Sequence, residues 1–136
     1  MRLKHLVIAC IAFFALFLSA CSGSGNTAAF LKTMEDVGYV FEIRDEDSTA
    51  YYEHDIVNVP YELDVDVIEL YVGYVDGSAR WAEVVVLKTV GEAEQYKAKL
   101  DLEATAGRFV IQEENIVLIT FSPETNALFV CSDKTC

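Results

Sequence analysis

Histidine is almost missing from this chain, with two residues in 136, at positions 5 and 54. Cysteine is scarce as well, with four. Beyond residue 21 only Cys131, Cys136 and His54 remain, fewer than the four ligands structural zinc takes, so no zinc site and no cofactor is expected. The spacings of a nucleophile elbow, a phosphate-binding P-loop, an H-E-x-x-H helix and an EF-hand loop are all absent. Basic residues are also few, 10 against 22 acidic. A surface this negative repels phosphate backbones, so nucleic acid is excluded as a partner. Finally, only one long apolar run occurs, and it is confined to the first 20 residues.

That run, Leu6 to Ala20, contains Ser19 as its one polar residue and follows Arg2 and Lys4. Fifteen residues at about 1.5 Å each reach about 22 Å, short of the roughly 30 Å of hydrocarbon that a spanning helix must cross. The pattern is that of a signal peptide, with a positive start and a short apolar centre. Ser22 to Asn26, "SGSGN", follows as a polar linker with no Lys or Arg to stop transfer.

The residues that close the run, Leu18-Ser19-Ala20-Cys21, resemble the lipobox of bacterial lipoproteins. The resemblance covers the first 21 residues and the linker, and it speaks to location only. It implies that the Cys21 thiol carries a diacylglyceryl group, that cleavage occurs just before it, and that the new amino terminus is a candidate for further acylation. Two or three acyl chains anchor far better than one, because each buried CH₂ contributes about 0.8 kcal/mol. The expected location is therefore extracytoplasmic and lipid-anchored to the cell membrane. In a Gram-negative cell, Ser22 in place of an Asp implies the outer membrane; in a Gram-positive cell the outer leaflet of the cytoplasmic membrane is implied. The alternative is an ordinary secretory signal and a soluble domain.

The expected organisation is a signal peptide over 1–20, a lipidated cysteine and flexible linker over 21–28, and one domain over 29–136. Loss of Arg2 and Lys4 with the signal leaves eight basic and 22 acidic residues, a net charge of −14. Such a domain stands off anionic headgroups and prefers neutral or cationic partners, although solubility alone also accounts for the charge. The expected partners are the membrane, through the lipid, and an envelope protein or an extracellular ligand. Cys131 and Cys136 form a C-x4-C pair. A disulfide between them requires Ser132 to Thr135 to turn, because an extended strand would hold the two about 17 Å apart; in a reducing host both stay as thiols.

Within the domain, Phe30, Met34 and Val37 recur at helical spacing, with Asn26 or Thr27 as cap and Gly38 as the stop. Tyr39 to Ile43 reads as a strand, and "RDEDST" (44–49) as a charged turn. In "AYYEHDIVNVPY" (50–61) a strand is favoured around Ile56 to Val59, ended by Pro60. Glu62, Asp64 and Asp66 then alternate along an expected strand, too few oxygens for calcium. Asp76-Gly77 marks a two-residue hairpin turn between Val65–Val75 and Ser78–Lys88. In that register Ile68, Leu70, Val72 and Tyr74 share the core face with Trp81, Val85 and Leu87, and Glu83 sits opposite Leu70. A buried carboxylate must be paired, edge-placed or lining a pocket, and the pocket reading makes Tyr74, Trp81 and Glu83 a candidate ligand face. The competing reading is a four-residue turn or bulge that moves Glu83 outward.

Thr89 and Glu92 form a capping box, followed by an apolar stripe at Ala93, Tyr96, Leu100 and Ala104, with Gly107 as the end. Phe109–Gln112 and Ile116–Phe121 read as strands joined near Glu114-Asn115; beyond them either Ser122-Pro123 opens a last helix, the reading slightly favoured, or "ALFVC" (127–131) forms a final strand. A helix-Gly-strand unit thus occurs twice, at Gly38 and at Gly107. The fold class implied is α+β, one small domain with an antiparallel sheet, a central Asp-Gly hairpin and two or three helices packed on one face. The functional expectation is an acidic interaction or accessory module of the envelope. The alternatives are a small-molecule or peptide binder using the Tyr74/Trp81/Glu83 face, and a hydrolase built on His54-Asp55, for which no nucleophile motif exists.

Overall fold

A computed structural model describes residues 24–103 and 105–130. Its elements, in chain order, are α1 (Ser24–Glu35), β1 (Tyr39–Ile43), α2 (Glu46–Tyr51), a π-helical segment (Tyr52–Asn58), α3 (Val59–Tyr61), β2 (Val67–Val75), β3 (Trp81–Leu87), α4 (Val90–Leu102), β4 (Phe109–Glu113), β5 (Ile116–Thr120) and α5 (Pro123–Val130). Cys21, Cys131 and Cys136 lie outside the described residues, as does the lipobox. No helix among the described residues is long and apolar enough to cross a membrane.

The five strands form one antiparallel sheet in the order β1-β2-β3-β5-β4. The α+β class holds. The helices, however, cover both faces rather than one. Alternate residues of β3 enter two cores: Val85 and Leu87 pack with Tyr52, Val57, Ala93, Tyr96 and Leu100 beneath the 46–61 helical stretch and α4. Ala82, Val84 and Val86 pack with Phe30 and Met34 of α1 and with Phe129 of α5. The signal was already present in "VVVL" and "IVLI", since a strand buried on both sides loses its polar alternation. The two helix-Gly-strand units lead into the two edge strands, with Gly38 at φ 101° and Gly107 at φ 77°. Their helices lie on opposite faces.

Two helix starts are capped as expected, whereas Asn26 and Thr27 fall inside α1 instead of capping it. The Thr89/Glu92 box forms with both of its reciprocal bonds. Ser122 Oγ accepts from the Thr125 amide, and Pro123 starts α5. α1 begins at Ser24, inside the stretch read as linker. The main departure is the region around residues 45–61, which is helical and not a turn followed by a strand. Asp45 caps it, its carboxylate accepting from the Ser48 amide at 2.8 Å. Winding then widens, the Val59 amide reaching the His54 carbonyl five residues back. This π segment precedes Pro60, which has no N–H to give and whose ring crowds the previous turn of a regular helix. Glu62 ends the stretch at φ 54°. Asn58 then clamps the chain beyond, its amide group donating to the Val65 carbonyl and accepting from the Val65 amide. Residues 62–66 are accordingly irregular, and Asp66 pairs with Lys88 at 2.6 Å.

Candidate functional site: a cleft ending on Glu83

Helix α2 lies against β2, and a cleft of about 460 Å³ opens between them. Asp47, Ser48, Tyr51 and Tyr52 form its helical wall, Leu70 and Val72 of β2 its apolar floor, and Arg44 its mouth; Glu83 of β3 closes the far end. Three charged groups therefore line it, two carboxylates and one guanidinium. Arg44 Nη1 is already drawn to Glu42, 3.5 Å away.

The hairpin register explains how Glu83 arrives there. Val75 pairs with Arg80, so the loop has four residues, Asp76 to Ala79, and not two. Gly77 carries the positive φ of 70°, whereas Asp76 does not, so the type I′ turn is not formed. Glu83 consequently faces Val72 instead of Leu70. Two extra loop residues shift the partner by two, which returns the side chain to the same face of the pleat. The longer loop does not move Glu83 outward. The face assignment fails at Ile68, where a bulge between Val67 and Glu69 turns Ile68 out to solvent and places Val67 in the core, and Tyr74, though on the expected face, is exposed rather than part of the core.

Glu83 is both paired and cleft-lining. Its Oε2 accepts from the Tyr52 hydroxyl at 2.8 Å. The Tyr52 oxygen lies 3.1 Å from the Tyr96 hydroxyl. A phenol has one proton, and Tyr52 gives its own to Glu83, so Tyr96 is the donor in the second bond and the chain runs Tyr96 to Tyr52 to Glu83. Burial pushes the Glu83 carboxyl above its usual range, opposed by the Tyr52 bond and by Arg44. Burial also raises both phenols, Tyr52 well above its ordinary value. Among the described residues no other donor bonds this carboxylate, and Glu83 lines the cleft.

Tyr74 and Trp81 do not line the cleft. They are cross-strand partners one row further along the same face. Val40 pairs with Tyr74 on one side, and the Phe121 ring packs on Trp81 on the other, centroids 6.3 Å apart. The result is a continuous apolar row, Val40-Tyr74-Trp81-Phe121, crossing β1, β2 and β3 and ending on the residue that follows β5. Val40, Tyr74 and Phe121 are 45–49% exposed. Sequence reasoning missed Val40 and Phe121, because which strands flank the hairpin is a matter of topology. It also missed Arg44 and Asp47, which it reads as parts of a charged turn, and it did not bring Tyr52, in a stretch of ambiguous pattern, to Glu83.

His54 sits on the exposed side of the π segment, its Nδ1 3.4 Å from Asp55, and lines no part of the cleft. Among the described residues no group of three or more His, Cys, Asp or Glu is gathered to hold a metal. No family model, curated protein or solved structure matches the chain.

Proposed function

We propose that the protein is a lipid-anchored accessory module of the cell envelope, held by acyl chains on Cys21 and offering its acidic domain to another envelope component. The location rests on Leu18-Ser19-Ala20-Cys21 and the apolar run before it. The observation that carries the binding role is the open cleft ending on a half-buried carboxylate beside an uncovered aromatic row. Burying a carboxylate costs stability, and an exposed row of large apolar side chains marks an interaction surface more often than a bare one. The test is cross-linking and capture from native membranes, comparing the wild type with Cys21→Ser. A partner captured stoichiometrically by the anchored form alone supports the module. Membrane retention of both forms removes the anchor.

A second reading, a small-molecule receptor, is favoured by the cleft itself, whose volume falls within the roughly 300–1,000 Å³ common for ligand pockets. Absence of any protein partner, with the wild type alone in the membrane fraction, selects it.

A further inference from the structure

The aromatic row and the cleft belong to one surface. Val40-Tyr74-Trp81-Phe121 lies two residues along the strands from the row that contains Glu42, Val72 and Glu83. Two strand residues span about 6.6 Å, less than the reach of a Lys or Arg stem. A side chain leaving the aromatic row therefore arrives at the cleft.

Charge decides what it carries. Glu83 and Asp47 face the cleft against the single cation Arg44, and Glu42 partly occupies that cation. Arg108, beside Phe121 in the β4–β5 register, is spent on the Glu103 carboxylate and on the Leu100 and Glu103 carbonyls at the end of α4. The whole domain is acidic. An anionic ligand is repelled, and a bare metal ion would leave the apolar row uncovered and find too few oxygens. A cationic group with apolar neighbours satisfies both features, and its stem can lie on the Trp81 and Tyr74 rings.

Resting on the reading above, we infer that this surface docks a basic peptide segment of the partner, a Lys or Arg entering the cleft toward Glu83 while adjacent apolar side chains cover the Val40-Tyr74-Trp81-Phe121 row. Trp81 is the only tryptophan in the chain, so its emission reports occupancy of the row directly. The full lipidated chain in non-ionic detergent is titrated with acetyl-Lys-Leu-Lys-Leu-Lys-Leu-amide, with the corresponding Glu-Leu peptide, and with spermidine. The expected result is a saturable emission shift with the basic peptide only. Glu83→Gln, which keeps an acceptor for Tyr52, weakens it about tenfold or more, and Tyr74→Ala, at an exposed position, weakens it also without changing the circular dichroism. Equal binding by Glu83→Gln overturns the site, leaving general attraction to an acidic surface. No shift with any probe overturns it too. The same shift and the same Glu83→Gln loss with spermidine make the site a polyamine receptor instead. A partner captured from membranes equally by wild type and Glu83→Gln keeps the accessory module and rejects this docking site.

Discussion

Tyr52, in the middle of a helical stretch, donates its hydroxyl proton to Glu83, in the middle of a strand, across 2.8 Å and 31 residues of sequence. That bond joins one helical layer to the sheet at the closed end of the cleft. Behind it, Tyr96 of α4 extends the contact to the second helix on the same face.

Removing the hydroxyl tests this link. Tyr52→Phe keeps the ring and loses both bonds, stranding the Tyr96 hydroxyl and one Glu83 oxygen. The expected loss is about 1–3 kcal/mol, measured by urea unfolding at neutral pH. The Glu83 carboxyl should titrate higher than in the wild type, because the bond that favours its charged form is gone. An unchanged unfolding midpoint would contradict the role assigned to the pair.

The pH dependence of Glu83 has a definite sign. Burial raises its carboxyl in the folded state, so the native chain holds that proton more tightly than the unfolded chain does. Its contribution to stability is then fully present below the unfolded value and lost as pH rises through the folded one. Measured against Glu83→Gln, the wild type should be relatively most stable near about pH 4 and relatively weaker near about pH 7. Thermal melts of both proteins across that range check it, and a constant difference rejects it.

Asn58 is a two-handed clamp, bonding both the amide and the carbonyl of Val65. It fixes the chain between the helical stretch and β2. Asn58→Ala should cost about 2 kcal/mol, near 1 for each bond, and hydrogen exchange at Val65 should accelerate. Protection at Val65 surviving the substitution would show that other contacts hold the segment.

Gly73 faces Phe41 across β1 and β2, and the ring lies where a β-carbon would stand. Gly73→Ala should destabilise by about 1–3 kcal/mol through overpacking. Pairing it with Phe41→Leu should recover part of that loss, since contacting residues do not add independently. Full additivity would mean that the two do not share the space.

Much of this arrangement could be read from local chemistry. The box at Thr89 and Glu92 and the stripe Ala93-Tyr96-Leu100 are fixed by neighbours three or four residues apart and form as read, Ala104 lying outside the described residues; of the two readings of the last segment, the helix from Ser122-Pro123 is the one that forms. Glu83 was assigned the core face from a turn of the wrong length. The assignment survived because a two-residue change in register preserves the pleat.

The helix around Tyr52 was not legible, and for a specific reason. Its buried residues Tyr52 and Val57 are five apart, matching neither the 3.6-residue helical period nor the alternation of a strand. Its β-branched and aromatic residues favour a strand on their own. What overrides them is packing of Tyr52 and Val57 onto the core beside Leu70 and Val85, together with the Asp45 cap and the widened turn before Pro60.

By itself, then, the sequence determined the Thr89/Glu92 capping box and which strand residues around the hairpin turn the same way, Ile68 excepted, since these depend on residues a few positions apart. Tertiary structure alone decided that both sheet faces are covered, that Val40 and Phe121 continue the row begun by Tyr74 and Trp81, and that Tyr52 stands over Glu83. Those relationships join segments tens of residues apart, and only burial of apolar surface between elements selects which segments meet.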